Sequence, residues 1–175
     1  MAYLYTEAVE EATVAPPPEV EAFRLAMREF ISGVAIVAAG QGAARNGCTA
    51  TSLCSLSLEP PSLIVCLARA SATLKTIRRE GVFGISLLGE AHADLADCFA
   101  GRSGLRGAAR FQGCDVAVLS TGAPLLQGAV AMIDCEVEEA IERHTHAIVI
   151  GRVVAAKAAG GQPLLHWRGR SLRSI

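Results

Sequence analysis

Hydrophobic residues recur along this chain in two rhythms, and the change of rhythm divides it. From Glu19 to Phe30, apolar Val20, Phe23, Met27 and Phe30 return every third or fourth residue, with Glu21, Arg24 and Arg28 between them. That period puts them on one face of an amphipathic helix, which Gly33 ends. Strand patterns then take over. Val34 to Ala39 is a continuous apolar run, and Gly40 to Gly47, rich in glycine, reads as a hairpin connection. Cys48 to Leu58 alternates small hydroxyl and apolar residues and reads as one strand, broken at Pro60-Pro61. Ser62 to Ala68 and Val82 to Leu88 are two further strands. Ala129 to Glu138 puts Ile133, Cys135 and Val137 on one face and Asp134, Glu136 and Glu138 on the other. That alternation predicts a half-exposed strand whose acidic face meets water. Ala147 to Ala156 is another strand, and Leu164 to Trp167 a short last one.

Two short helices interrupt the strands. Ser71 to Glu80 has Leu74 and Ile77 on one side, a hydroxyl at its start, Arg78 and Arg79 in its last turn and Gly81 beyond. Each is a helix-terminus signal. Glu90 to Phe99 is predicted to turn Ala91, Leu95, Cys98 and Phe99 inward and to leave His92 solvated. Arg102 to Arg110 reads as a flexible loop. Six or seven strands without βαβ alternation predict a mainly β fold with short helices, an antiparallel barrel rather than a doubly wound sheet. No strand leads into a G-x-G-x-x-G turn, so a dinucleotide would not be held in the Rossmann manner.

Composition narrows the picture. The 175 residues allow one domain, taken as 19–175, after an arm of residues 1–18 ending in Pro16-Pro17-Pro18. A hydrophobic content of 51% is more than a small monomer covers easily, which points to an oligomer. A net charge of −1 and 5% aromatic residues exclude a nucleic-acid binder. No apolar run approaches the ~20 residues of a membrane helix. Met1 to Ala15 carries Glu7, Glu10 and Glu11 rather than a secretory signal, so a cytoplasmic protein is expected. The six cysteines form no C-x-x-C pair and are expected to be small core residues in a reducing compartment, with no metal site.

Candidate chemistry lies in two stretches. Cys48-Thr49-Ala50-Thr51-Ser52-Leu53-Cys54-Ser55 is crowded with small side chains, which let a flat ring approach the backbone; a tightly packed or edge strand reads the same way. Leu67-Ala68-Arg69-Ala70-Ser71-Ala72-Thr73 runs from a strand into a helix start, where unpaired N–H groups suit a phosphate. Ser71 as a simple cap and Arg69 as a simple surface charge are equally consistent. His144 and His146 stand at a strand mouth, and His166 lies beside Trp167. No Ser/His/Asp or Cys/His arrangement is evident.

Taken in order, these pieces resemble the short-chain flavin reductases that serve two-component monooxygenases, proteins with an FMN-binding split β-barrel of Greek-key type. The resemblance runs from about Phe23 to Leu172. It is carried by Ser32-Gly33-Val34, by Thr49-Ala50-Thr51-Ser52 through Ser55-Leu56-Ser57-Leu58 to Glu59-Pro60-Pro61, and by Ser71-Ala72-Thr73. It continues in Arg110-Phe111-Gln112-Gly113, Pro124-Leu125-Leu126-Gln127-Gly128-Ala129, Gly151-Arg152-Val153 and Pro163-Leu164-Leu165. The chain departs from the family pattern at Thr51, where asparagine is usual, and at His144-Thr145, where Gly-Asp is usual. The resemblance implies that Thr49, Ala50, Thr51 and Ser52 line the ring of FMN or FAD. It implies that Arg69, Ser71 and Thr73 hold its phosphate, that Leu67 and Ala72 also belong to the cofactor site, and that His146 contacts NADH or NADPH. It also implies a homodimer that passes reduced flavin to an oxygenase. A flavin-binding module without turnover, an oxidase with tightly held FMN, and a structural dimer without a pocket remain the alternatives.

Overall fold

The computed structural model describes residues 20–172; the arm expected at residues 1–18 lies outside them. In chain order the elements are α1 (Val20–Arg28), β1 (Ser32–Gly33), β2 (Ala35–Ala39), β3 (Asn46–Ala50), β4 (Leu53–Leu58), β5 (Pro61–Ala68) and α2 (Ala72–Glu80). They continue with β6 (Val82–Leu87), α3 (Ala93–Phe99), β7 (Val116–Ala117), β8 (Leu125–Leu126), β9 (Ala131–Arg143), β10 (His146–Ala158), β11 (Leu165–Trp167) and β12 (Arg170–Leu172). Seven strands form one antiparallel sheet in the order β3-β2-β6-β9-β10-β5-β4.

The predicted strand from Cys48 to Leu58 is two strands, and the division closes the barrel. β3 and β4 lie at opposite edges of the sheet, yet only Thr51 and Ser52 separate them in sequence. Two residues span less than ~10 Å. The edges must therefore meet at this turn, beside which the Cys66 N–H donates to the Ser52 carbonyl at 3.3 Å and extends the β4–β5 ladder. Alternation alone cannot show this break, because the small residues continue through it.

The enclosed face holds one core: Val37, Leu63, Val65, Leu67, Phe83, Ile85 and Val149, with Leu74 and Ile77 of α2 inserted. Each of those two helix residues is fully buried, so truncation to alanine costs about 2–5 kcal/mol. α2 begins and ends as predicted, with Ser71 accepting from the Thr73 N–H and Gly81 in the left-handed conformation. The outer face of β2 packs a second core, in which Ile36 and Ala38 meet Ala96 and Phe99 of α3 and Phe111. Burial on both faces explains the unbroken apolar run of β2.

Several expectations need correction. Gly33 does not stop α1, which ends at Arg28; it is in β1 and pairs with Leu165, beside the Ser32–His166 pair. Ala91 is exposed and Ala96 takes the inward position, because the helix begins as a 3-10 turn over Glu90–His92. His92 is half-buried, its Nδ1 accepting the Gly89 N–H at 3.2 Å. Asp134 does not meet water; it is fully buried. Cys54 is an exposed cysteine rather than a core one. The segment read as a flexible loop is anchored: Arg110 donates to the carbonyls of Leu105, Gly47 and Phe99 at 2.9, 2.9 and 3.1 Å. Among the described residues, no helix is long and apolar enough to cross a membrane.

Candidate functional site

Strand β3 leads past the amino end of α2. There a cleft of about 380 Å³ opens, with Asn46, Gly47 and Cys48 on one side and Ser71, Ala72 and Thr73 on another. Its far wall is the turn carrying Gly101, Gly104 and Gly107, all with positive φ, together with Arg106 and Arg110. The first helical backbone bond of α2 runs from the Lys75 N–H to the Ser71 carbonyl at 3.2 Å. The N–H groups before it have no intrahelical carbonyl, and the helix dipole is positive there. Ser71 Oγ takes one of these donors, the Thr73 N–H, at 3.2 Å. No carboxylate lines the cleft.

The two arginines differ in what they can do. Arg110 spends its donors on three carbonyls and so holds the turn against β3 and α3. Arg106 is exposed, and among the described residues its guanidinium has no hydrogen bond or ion pair. The Cys48 thiol lies at the cleft floor. Loss of surrounding water pushes its pKa up, against the pull of the Thr73 and Ser71 hydroxyls and of Arg110. It is therefore a neutral wall of the cleft at physiological pH rather than a thiolate nucleophile. A helix amino end, a partnerless guanidinium and no carboxylate together fit a phosphate ester.

The other predicted site residues are distributed around this cleft. Ala50 and Leu67 point into the barrel core, so only their backbones can face a ligand. Thr49 is half-buried and its hydroxyl donates to the Ala96 carbonyl at 2.6 Å. Thr51 and Ser52 are exposed at the barrel closure, on the rim of a second and larger cavity, and Ser52 Oγ donates to the Cys66 carbonyl at 2.8 Å. Arg69 does not line the Ser71 cleft. It pairs with Glu142 at 2.7 Å, donates to the His144 carbonyl at 3.2 Å, and shares Glu142 with Arg78. His146 is exposed at the start of β10, opposite Ala68, with its Nδ1 2.9 Å from Thr145 Oγ1. The sequence reading overlooked Asn46 and Arg106. Their only signal was a run of glycine and arginine, which is also what a mobile loop looks like.

Residues 27–174 match the flavin reductase like domain. The chain belongs to this family. Relatives within it include the FMN reductase (NADH) RutF 2 of Methylorubrum extorquens, 41% identical over 154 residues and 88% of each chain. The reductase component of a 4-nitrophenol 4-monooxygenase/4-nitrocatechol 2-monooxygenase from Rhodococcus opacus is 38% identical over 158 residues, 90% of this chain and 82% of the relative. Among solved flavin reductase structures, the NADH:FAD oxidoreductase SgcE6 of Streptomyces globisporus superposes with a TM-score of 0.82 at 28% identity, over 95% of this chain and 99% of that one. The antiparallel split barrel is thus the family's fold, and the sheet closure at Thr51-Ser52 is a feature of how this family member folds.

Proposed function

We propose that this flavin reductase uses NADH or NADPH to reduce FMN or FAD, with the flavin phosphate at the amino end of α2 and the ring along residues 49–52. The observation that carries the reading is the carboxylate-free cleft in which Ser71 and Thr73 face the partnerless Arg106. β3 runs from that cleft to Thr51 and Ser52, and three residues of strand cover about 10 Å, comparable to the span from a flavin's phosphate to its ring.

A bound flavin supplies the redox chemistry, accepting a hydride from the reduced nicotinamide. The chain's own task is positioning. α2 and Arg106 fix the phosphate, and the small residues at the closure let a flat ring lie against backbone amides. His146 stands two strands from Ser52, across β5, where it can contact the nicotinamide nucleotide. Direct hydride transfer between stacked rings needs no protein acid or base, only reacting atoms held about 3–3.5 Å apart.

The same reading includes a homodimer and an oxygenase partner. α1 buries none of its residues, and Val20, Phe23, Leu25, Met27, Leu56 and Leu58 are all exposed. Apolar surface of that extent favours a protein partner, and a second copy is the simplest. The relative that is the reductase component of a monooxygenase supports delivery of reduced flavin to an oxygenase.

Anaerobic stopped-flow mixing with each flavin and each nicotinamide tests the activity. Bleaching of the flavin faster than the uncatalysed reaction is expected, and a rate no faster than the free reaction would sink the reading. Sedimentation velocity tests the dimer, which a single monomeric species would exclude.

A further inference from the structure

Two thiols converge on one carbonyl behind the arginine-bearing wall of the cleft proposed for the flavin phosphate. Cys98, in the last turn of α3, and Cys114, just past the 3-10 turn Gly107–Phe111, each donate to the Arg110 carbonyl at 3.9 Å. Buried Phe99 and Phe111 hold the two segments together, their rings meeting edge-on with centroids 4.8 Å apart. Both cysteines are half-buried and free. The Ser103 hydroxyl donates to Cys98 Sγ at 3.3 Å. Loss of surrounding water pushes the Cys114 pKa up; the nearby Cys98 and Asp115 add to the shift, and Arg45 opposes it. The residues between the two cysteines include Gly101, Gly104, Arg106, Gly107 and Arg110, which form the far wall of the cleft.

We propose that Cys98 and Cys114 form a reversible disulfide in response to hydrogen peroxide, and that this bond weakens flavin binding in the adjoining cleft. The second half rests on the proposed seat of the flavin phosphate. The Cys98 thiolate attacks one peroxide oxygen, the O–O bond breaks, and the departing hydroxide takes up the thiol's proton to become water. The Ser103 hydroxyl stands where it can bond the departing oxygen. Cys98 is left as a sulfenic acid, oxidised by two electrons. The Cys114 sulfur then attacks the Cys98 sulfur, the S–O bond breaks, and hydroxide leaves with the Cys114 proton as a second water. The raised pKa of Cys114 leaves it to this second, intramolecular step. Two thiols and one peroxide thus give one disulfide and two waters. The oxidant arises from the reductase's own product, because reduced flavin that meets dioxygen before an oxygenase yields hydrogen peroxide. The disulfide removes both S–H donors from the Arg110 carbonyl and closes residues 98–114 into a covalent loop. Arg110 also ties that loop to the carbonyls of Gly47 and Phe99, and the partnerless Arg106 lies in the same turn. A shift at the Arg110 backbone therefore reaches the cleft, and reducing power lost to oxygen is answered by weaker flavin uptake.

The test uses the full chain, reduced, freed of reductant and treated with hydrogen peroxide before alkylation, digestion and mass spectrometry. A peptide pair joined through Cys98 and Cys114 is expected. Fluorescence titration of the oxidised protein should then give an FMN affinity about fivefold weaker than that of the reduced protein, restored by dithiothreitol. In Cys114→Ser, dimedone should trap Cys98 as the sulfenic acid with no cross-link. In Cys98→Ser, peroxide should leave FMN affinity unchanged. Absence of the Cys98–Cys114 cross-link in the wild-type chain overturns the inference without reference to either variant. So does a complete cross-link with unchanged FMN affinity. An affinity loss that persists in Cys98→Ser also overturns it and assigns the effect to another thiol, such as Cys48 at the cleft floor. Ser71→Ala with Thr73→Ala separates this inference from the reading on which it rests. If that variant weakens FMN binding and the cross-link does not, the phosphate seat stands and the disulfide role falls. If the cross-link weakens binding and that variant does not, the disulfide role stands and the phosphate seat falls.

Discussion

Asp134, near the start of β9, is bound on both carboxylate oxygens by one turn of the preceding loop, chiefly by Thr121. Its Oδ2 accepts the N–H groups of Ser120 and Thr121 at 2.7 and 2.8 Å, and its Oδ1 accepts the Thr121 hydroxyl at 2.5 Å. Asp134→Ala leaves these donors without their acceptor and should cost about 2–4 kcal/mol in urea unfolding. Asp134→Asn, which keeps the shape and one acceptor oxygen, should cost less. Equal stability of Asp134→Ala and wild type would show that the loop finds other partners.

Gly151 lies where β10 shifts register against β9, and a Cβ there would come within 2.4 Å of the Phe83 ring and 3.1 Å of Cys135 Cβ. Phe83 is fully buried and has no room to retreat. Gly151→Ala is therefore expected to destabilise by about 1–3 kcal/mol, the usual cost of overpacking. A thermal midpoint unchanged from wild type would contradict this account of the barrel wall.

Ser71 caps α2 and lines the cleft proposed for the flavin phosphate. Ser71→Ala with Thr73→Ala should lose about 1 kcal/mol or more of stability through the cap and weaken FMN affinity about tenfold, with the fold kept. Fluorescence titration of FMN and far-ultraviolet circular dichroism separate the two effects. Unchanged FMN affinity in a folded variant would remove the phosphate assignment.

His146→Ala should raise the KM for NADH about fivefold while kcat changes little, since a binding contact is lost and no proton transfer is involved. Steady-state kinetics at saturating flavin read this directly. A fall in kcat at unchanged KM would give His146 a different role.

Burial pushes the Cys135 thiol up from 9.0 to about 12, with Asp134 adding to the shift. Below about pH 9 the thiol is protonated both folded and unfolded and adds no slope. Above that, the unfolded chain ionises first, so stability falls as pH rises toward 12. The Cys135 contribution should amount to about 1 kcal/mol between pH 8 and pH 10. Parallel stability–pH curves for wild type and Cys135→Ala would rule it out.

The amino-acid sequence by itself determined the local elements and the family. The period of Val20, Phe23 and Met27, the Ser71 and Gly81 caps of α2 and the alternation in β9 act over one or two turns, so the residues that specify them are neighbours in the chain. Tertiary structure alone decided which strand edges meet, which acidic residue is buried and which arginines share a cavity. Asp134 and Glu136 look alike on the same strand face, yet only Asp134 finds the donors of residues 120–121. Arg28 and Arg168 are 140 residues apart and become neighbours only when β11 pairs with β1. Contacts of that separation leave no periodic trace, because their energy comes from burial and hydrogen bonds that exist only after the barrel has closed.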